Sequence, residues 1–179
     1  MKKIILTVFA LFALAFSATA QKKSLSGVSK NAIGIRFGDN DGPAIAASYQ
    51  RRVFTQNRLE LDLGIKSSNY ADAVKLAAVF QWVFPIENGF NWYAGAGGGF
   101  GHYEHNFKND YYYYPYYESD RGDDGIFGFV AGDIGIEYDF PRIPLQLSFD
   151  IRPELGTEGY GNDTVNANAD IGFAVRYRF

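Results

Sequence analysis

The chain has two histidines, His102 and His105, and both fall in His102-Tyr103-Glu104-His105. In an extended segment alternate side chains share a face. His102 and Glu104 would then offer an imidazole beside a carboxylate, as a metal site or an acid–base pair could use. A metal site needs further ligands, and a nucleophilic triad needs a serine against the histidine. The chain has no cysteine, no serine shortly precedes these histidines, and Ser119 lies well beyond them. The pair reads as solvated residues at a strand end. The expectation is a non-enzyme with no catalytic residue, no metal ligand and no cofactor.

The next cluster is aromatic. Tyr111, Tyr112, Tyr113, Tyr114, Tyr116 and Tyr117 surround Pro115, and Glu118, Asp120, Asp123 and Asp124 follow. Tyrosine offers wide contact area at little cost in side-chain entropy, which suits a recognition surface. Packing of the rings on one another, or at the edge of a lipid layer, accounts for the cluster equally well. The aspartates match no calcium-loop template. Asn162-Asp163-Thr164-Val165 has the form of a glycosylation motif, through Asp163-Thr164-Val165 as well as Asn162, although so short a motif recurs by chance.

These residues must be held by strands, because period-two alternation runs through the chain and no 3.6-residue stripe competes with it. Ala169, Ile171, Phe173, Val175, Tyr177 and Phe179 alternate with Asp170, Gly172, Ala174, Arg176 and Arg178. Segments 145–152, 59–66 and 74–84 alternate in the same manner, and 32–38, 44–54, 90–103 and 126–140 do so more weakly. Eight strands follow. The connections at 55–57, 85–89 and 141–144 are tight while 104–125 is long, so one end carries turns and the other loops. Five of the six prolines fall in proposed connections; the sixth, Pro153, predicts that pairing of the seventh strand ends or bulges there.

Ahead of the strands, Lys2 and Lys3 precede an apolar run and then Ser17-Ala18-Thr19-Ala20, the pattern of a cleaved export signal over 1–20. This run of thirteen residues, Ile4 to Phe16, is too short for a spanning helix, which needs ~20. Residues 21–30 read as a flexible lead-in, leaving 31–179 as one domain. A formal net charge of -3 leaves no basic excess to neutralise phosphates, so no nucleic-acid partner is expected.

Charges and aromatics decide which face is inside. Phe54, Trp82, Phe84, Phe90, Trp92, Tyr138, Phe140, Tyr177 and Phe179 lie near tight turns or the last residue. That places them at one level, as the aromatic girdle of a membrane interface would be. The other face carries Arg36, Glu60, Asp62, Lys66, Lys75, Asp133, Glu137, Asp150, Arg152, Glu154, Asp170, Arg176 and Arg178. A basic residue facing hydrocarbon at the midplane costs roughly 2–4 kcal/mol, so these charges are expected to line a lumen. Eight strands enclose just enough room for side chains, which predicts a salt-bridged plug. Gly95, Gly97, Gly99 and Gly101 share a face with Tyr93. They would make room for long Arg or Lys side chains from across the lumen and would permit barrel curvature, and both can hold.

The export signal, the eight segments and the terminal Ile171-x-Phe173-x-Val175-x-Tyr177-x-Phe179 resemble the small eight-stranded outer-membrane barrels of Gram-negative bacteria, the OmpX-like proteins and the OmpA-type transmembrane domain. The resemblance implies an all-β, up-and-down antiparallel transmembrane barrel in the outer membrane, with N-terminus and tight turns in the periplasm. It implies outer-membrane lipid and lipopolysaccharide as surroundings, and recognition of Phe179 by the barrel-assembly machinery. A structural or surface-interaction role through the loops, with an unknown extracellular partner, is the expectation. The rivals are a narrow channel or carrier resembling OmpW-like barrels, a lipid A-modifying enzyme, and a soluble lipocalin-type barrel with the alternation inverted.

Overall fold

Alternating apolar and polar residues cannot be buried on both faces, and here the sheet resolves the conflict by closing on itself. The computed structural model describes residues 29–39, 43–67, 71–105, 125–157 and 165–179. The strands are β1 (Asn31–Asp39), β2 (Pro43–Arg52), β3 (Asn57–Ser67), β4 (Ala71–Pro85), β5 (Phe90–His105), β6 (Gly125–Asp139), β7 (Leu145–Thr157) and β8 (Val165–Arg178). Each pairs antiparallel with its neighbours in the sequence, and β8 returns to β1, so the meander is a closed barrel. The expected export signal at 1–20, most of the lead-in, the tyrosines Tyr111 to Tyr114, Tyr116 and Tyr117, and Asp163-Thr164 lie outside the described residues.

Three tight turns and the β1–β8 closure share one end. Asn88 (φ 52°) and Gly89 (φ 91°) occupy the two left-handed positions of a hairpin turn, closed by Phe90 N–H donating to the Glu87 carbonyl at 2.9 Å. Asn-Gly suits that turn because both residues tolerate positive φ. At the same end Asn31 N–H donates to the Phe179 carbonyl at 3.0 Å. The first turn begins two residues earlier than the sequence suggests: β2 stops at Arg52, and Val53 and Phe54 N–H groups both donate to the Asn57 carbonyl.

Pro153 corrects one expectation. β7 runs past it to Thr157, and its ladder to β8 continues through Pro153↔Ala169. Only the β6 side lapses, between Ala131↔Glu154 and Ile134↔Ile151, and pairing resumes in the same register, without a bulge. Proline has no N–H to give that ladder. Its ring lies against Gly132, where an added Cβ would meet Pro153 Cγ at 3.2 Å.

The glycine row of β5 has a cause in the adjacent backbone. A Cβ on Gly97 or Gly99 would strike the carbonyl oxygens of Ala78 or Leu76, and on Gly95 it would come within 2.7 Å of the Phe80 oxygen. The approach of β4 to β5 is what requires glycine here. The other nearest atoms are Gln81 and Val79 beside Gly95, and the rings of Phe129 and Phe127 beside Gly99 and Gly101.

Candidate functional site

Even-numbered residues of β1, β2, β3, β7 and β8, and odd-numbered ones of β4, β5 and β6, point inward, a parity set by the tight connections. The outcome inverts a water-soluble protein. Ile126, Ile65 and Val130 are 74%, 64% and 61% exposed on the outside, while Glu60 and Asp150 are fully buried within. Buried ions are tolerated only where partners surround them, since each loses several kcal/mol of hydration.

Arg152 of β7 is the hub. Its Nη2 pairs with Glu60, its Nη1 with Asp62 at 2.5 Å, and its Nε with Asp133 at 3.3 Å, so one guanidinium joins β7 to β3 and β6. Arg176 also reaches Glu60, at 3.1 Å, and donates to the hydroxyls of Ser48 and Ser148 at 2.9 and 2.7 Å. Arg36 pairs with Asp150 and, at 2.7 Å, with Asp170. Gln81 stitches the acids together, donating through Nε2 to Asp133 at 2.5 Å and Glu60 at 3.2 Å. Tyr93 Oη adds Asp150 at 3.3 Å. The guanidinium fork suits such multiple pairing because its donors are fixed in a plane.

Toward the loop end the lining turns apolar. Ala77, Phe129 and Ala131 form a buried cluster with Phe127 packed on it. Lys75 Nζ sits 4.2 Å from the Phe129 ring centroid and binds Glu154 at 2.6 Å. Toward the turn end Arg58 pairs with Glu137 at 2.6 Å, donates to Gln81 at 2.5 Å and covers the Tyr93 ring at 4.8 Å. Arg178 pairs with Asp139 at 3.3 Å and donates to the Phe140 carbonyl at 2.6 Å.

The structure thus brings Arg36, Glu60, Asp62, Asp133, Asp150, Arg152, Asp170 and Arg176 into one buried group. Glu137 and Lys75 stand in neighbouring pairs below and above it. Lys66 lies on β3 opposite Ala73; its side chain is outside the described residues. Sequence reasoning missed Arg58, Asp139, Gln50 and Gln146, all buried and inward. Carrying the Glu60–Asp62 parity back one step would have found Arg58.

On the outside, Phe84 stacks on Trp92 with centroids 4.4 Å apart, Phe90 meets Tyr138 at 4.5 Å, and Tyr138 meets Phe140 at 4.8 Å. Trp82 packs edge-on to Phe80 at 5.0 Å, and Tyr177 lies 6.3 Å from Phe179. Phe54 is exposed in the first turn. His102 and Glu104 are exposed at the outward, loop end of β5. Among the described residues no three His, Asp or Glu side chains gather where they could hold a metal ion.

A closed antiparallel meander of eight strands, apolar without and ionic within, is the fold of the small outer-membrane β-barrels. Two solved structures show the likeness. The N-terminal β-barrel domain of Pseudomonas aeruginosa OprF matches with a TM-score of 0.62 at 14% identity, over 86% of this chain and 100% of that one. Neisserial surface protein A matches at 0.56 and 13% identity, over 83% and 94%. No protein-family model and no curated relative matches the sequence.

Proposed function

We propose that the chain is a non-enzymatic integral protein of the outer membrane that strengthens the envelope and presents its loop end to the outside. The observation that carries this is the inverted barrel: bulky aliphatic side chains exposed around the wall, buried charges along the axis. That distribution opposes the lipocalin-type alternative, whose apolar side chains would fill the interior. The stacked aromatics at the turn end serve as an interfacial girdle, with lipid and lipopolysaccharide around the wall. Phe179, which follows β8 and is exposed, is the residue we assign to recognition by the assembly machinery. Residues 106–124, with their six tyrosines, are the segment we assign to surface recognition.

The test is single-cysteine labelling on intact cells with a membrane-impermeant maleimide. Cysteine in segment 106–124 is expected to label, and cysteine replacing Asn57 or Asn88 to label only after lysis. The reverse pattern would invert the topology. A channel is the rival use of such a barrel, and the Arg152 group across the lumen speaks against it. In planar bilayers the purified protein is expected to give no stable single-channel steps; reproducible discrete steps would favour the channel.

A further inference from the structure

Three cations stand on one sector of the turn-end rim. Lys30 leads into β1, Arg51 ends the outward row of β2, and Arg142 sits in the turn between β6 and β7; all three are exposed. The ladders set them side by side. Arg51 lies opposite Asn31, whose N–H and C=O both bond to Phe179, and Arg178 N–H donates at 2.8 Å to the carbonyl of Pro144, two residues beyond Arg142. The three therefore follow one another along β7, β8, β1 and β2, an arc of about 15 Å at the usual spacing between strands.

Charge on this sector is one-sided. Among the described residues none of the three makes a side-chain hydrogen bond or an ion pair. Arg52, Arg58 and Arg178 have partners and are no part of the set. Among the described residues the exposed acid of the turn end is Glu87, between β4 and β5, across the ring from β8 and β1. A terminal carboxylate on Phe179 would offset one charge of the three. At the other end the sign reverses, since segment 104–125 carries six acids against Lys108 and Arg121.

The neighbours of these cations fix their depth. Phe54, Ile143 and Phe179 are exposed beside them. Tyr49, outward on β2 two residues before Arg51, donates its hydroxyl to Asn31 Oδ1 at 3.0 Å. Exposed apolar groups and a ring with a polar tip, set beside uncompensated cations, mark the level where acyl chains give way to headgroups. Basic side chains at that level gain from anionic lipid, and a guanidinium matches phosphate oxygens.

We propose that the sector of Lys30, Arg51 and Arg142 binds anionic phospholipid headgroups, of the phosphatidylglycerol kind, in the leaflet that meets the turn end. Such binding rests on the wall facing lipid, as proposed above. A zwitterionic headgroup brings its own cation and gains less from the sector. The acidic segment at the other end repels the same lipid, which confines the preference to one leaflet.

The test uses the full chain in phosphatidylcholine vesicles holding a trace of spin-labelled phosphatidylglycerol or spin-labelled phosphatidylcholine. Electron paramagnetic resonance reads the fraction of each label immobilised at the wall. The phosphatidylglycerol label is expected to associate about fivefold more strongly, and high salt to reduce that preference. Lys30→Gln, Arg51→Gln and Arg142→Gln together should bring the ratio close to one, while immobilising as much phosphatidylcholine label as the unaltered chain. Equal immobilisation of the two labels by the unaltered chain, or a preference that survives the triple substitution, would overturn the proposal and leave the barrel in its bilayer. Immobilisation of neither label would overturn the lipid-facing wall, and the proposal with it.

Discussion

Replacing Arg152 by methionine is expected to lower the unfolding free energy by about 3–5 kcal/mol, the range for stripping one partner from a buried ionic group. The cause is what remains. Glu60, Asp62 and Asp133 all pair with Arg152, all three are buried, and all belong to other strands. Methionine supplies similar length and no donor, so three carboxylates would repel one another without water to screen them. Glu60 would keep Arg176 and Gln50, whereas Asp62 would lose the only ion pair shown for it. Denaturant unfolding from lipid vesicles, read through Trp82 and Trp92, measures the effect. Adding Glu60→Gln and Asp62→Asn is expected to recover much of the loss, a coupling isolated by comparing the triple variant with Arg152→Met alone and with the two acid substitutions alone. A loss under about 1 kcal/mol for Arg152→Met would mean that the lumen does not depend on its hub.

Ile134→Lys is expected to cost about 2–4 kcal/mol in a bilayer, for a reason opposite in kind. Ile134 points outward from β6 and is 54% exposed, so the substitution removes no packed core. In water such a surface change would fall within about 0.5 kcal/mol. The full cost appears only if acyl chains surround that position. Ile143→Lys, in the exposed third turn, is the paired control and should cost about 0–1 kcal/mol near the interface. Comparing the two variants in vesicles therefore reads depth directly. Equal, small losses would remove the membrane from the account of this barrel.

The strands were legible because apolar residues alternate with polar or small ones in β3, β7 and β8: one residue of slip would send Asp150 or Arg176 outward. The up-and-down order was legible from the tight connections at the turn end, whereas closure shows only in the β1–β8 ladder. Who pairs with whom was not. Arg36 finds Asp150 and Asp170 on β7 and β8 only because closure brings β8 beside β1, and that register is a property of the whole ring. Arg58 escaped because it follows a turn whose limits are blurred in sequence. The inward Phe127 and Phe129 escaped for a different reason. In Ile126-Phe127-Gly128-Phe129-Val130 both parities are apolar, so the pattern cannot say which side is wet. The close approach of β4 to the β5 glycines was not legible, because a glycine row looks alike whether a distant side chain or a neighbouring backbone demands the room.

The seam between β1 and β8 has a bearing on biogenesis. It joins the first strand to the last, so no truncated chain can complete the ring. A nascent chain lacking β8 would leave β1 and β7 as open edges, with unpaired N–H and C=O groups beside greasy side chains, the combination that templates aggregation. Long-range pairings also form slowly, since chain entropy is lost before contacts compensate. Those edges therefore stay open until β8 pairs with β1.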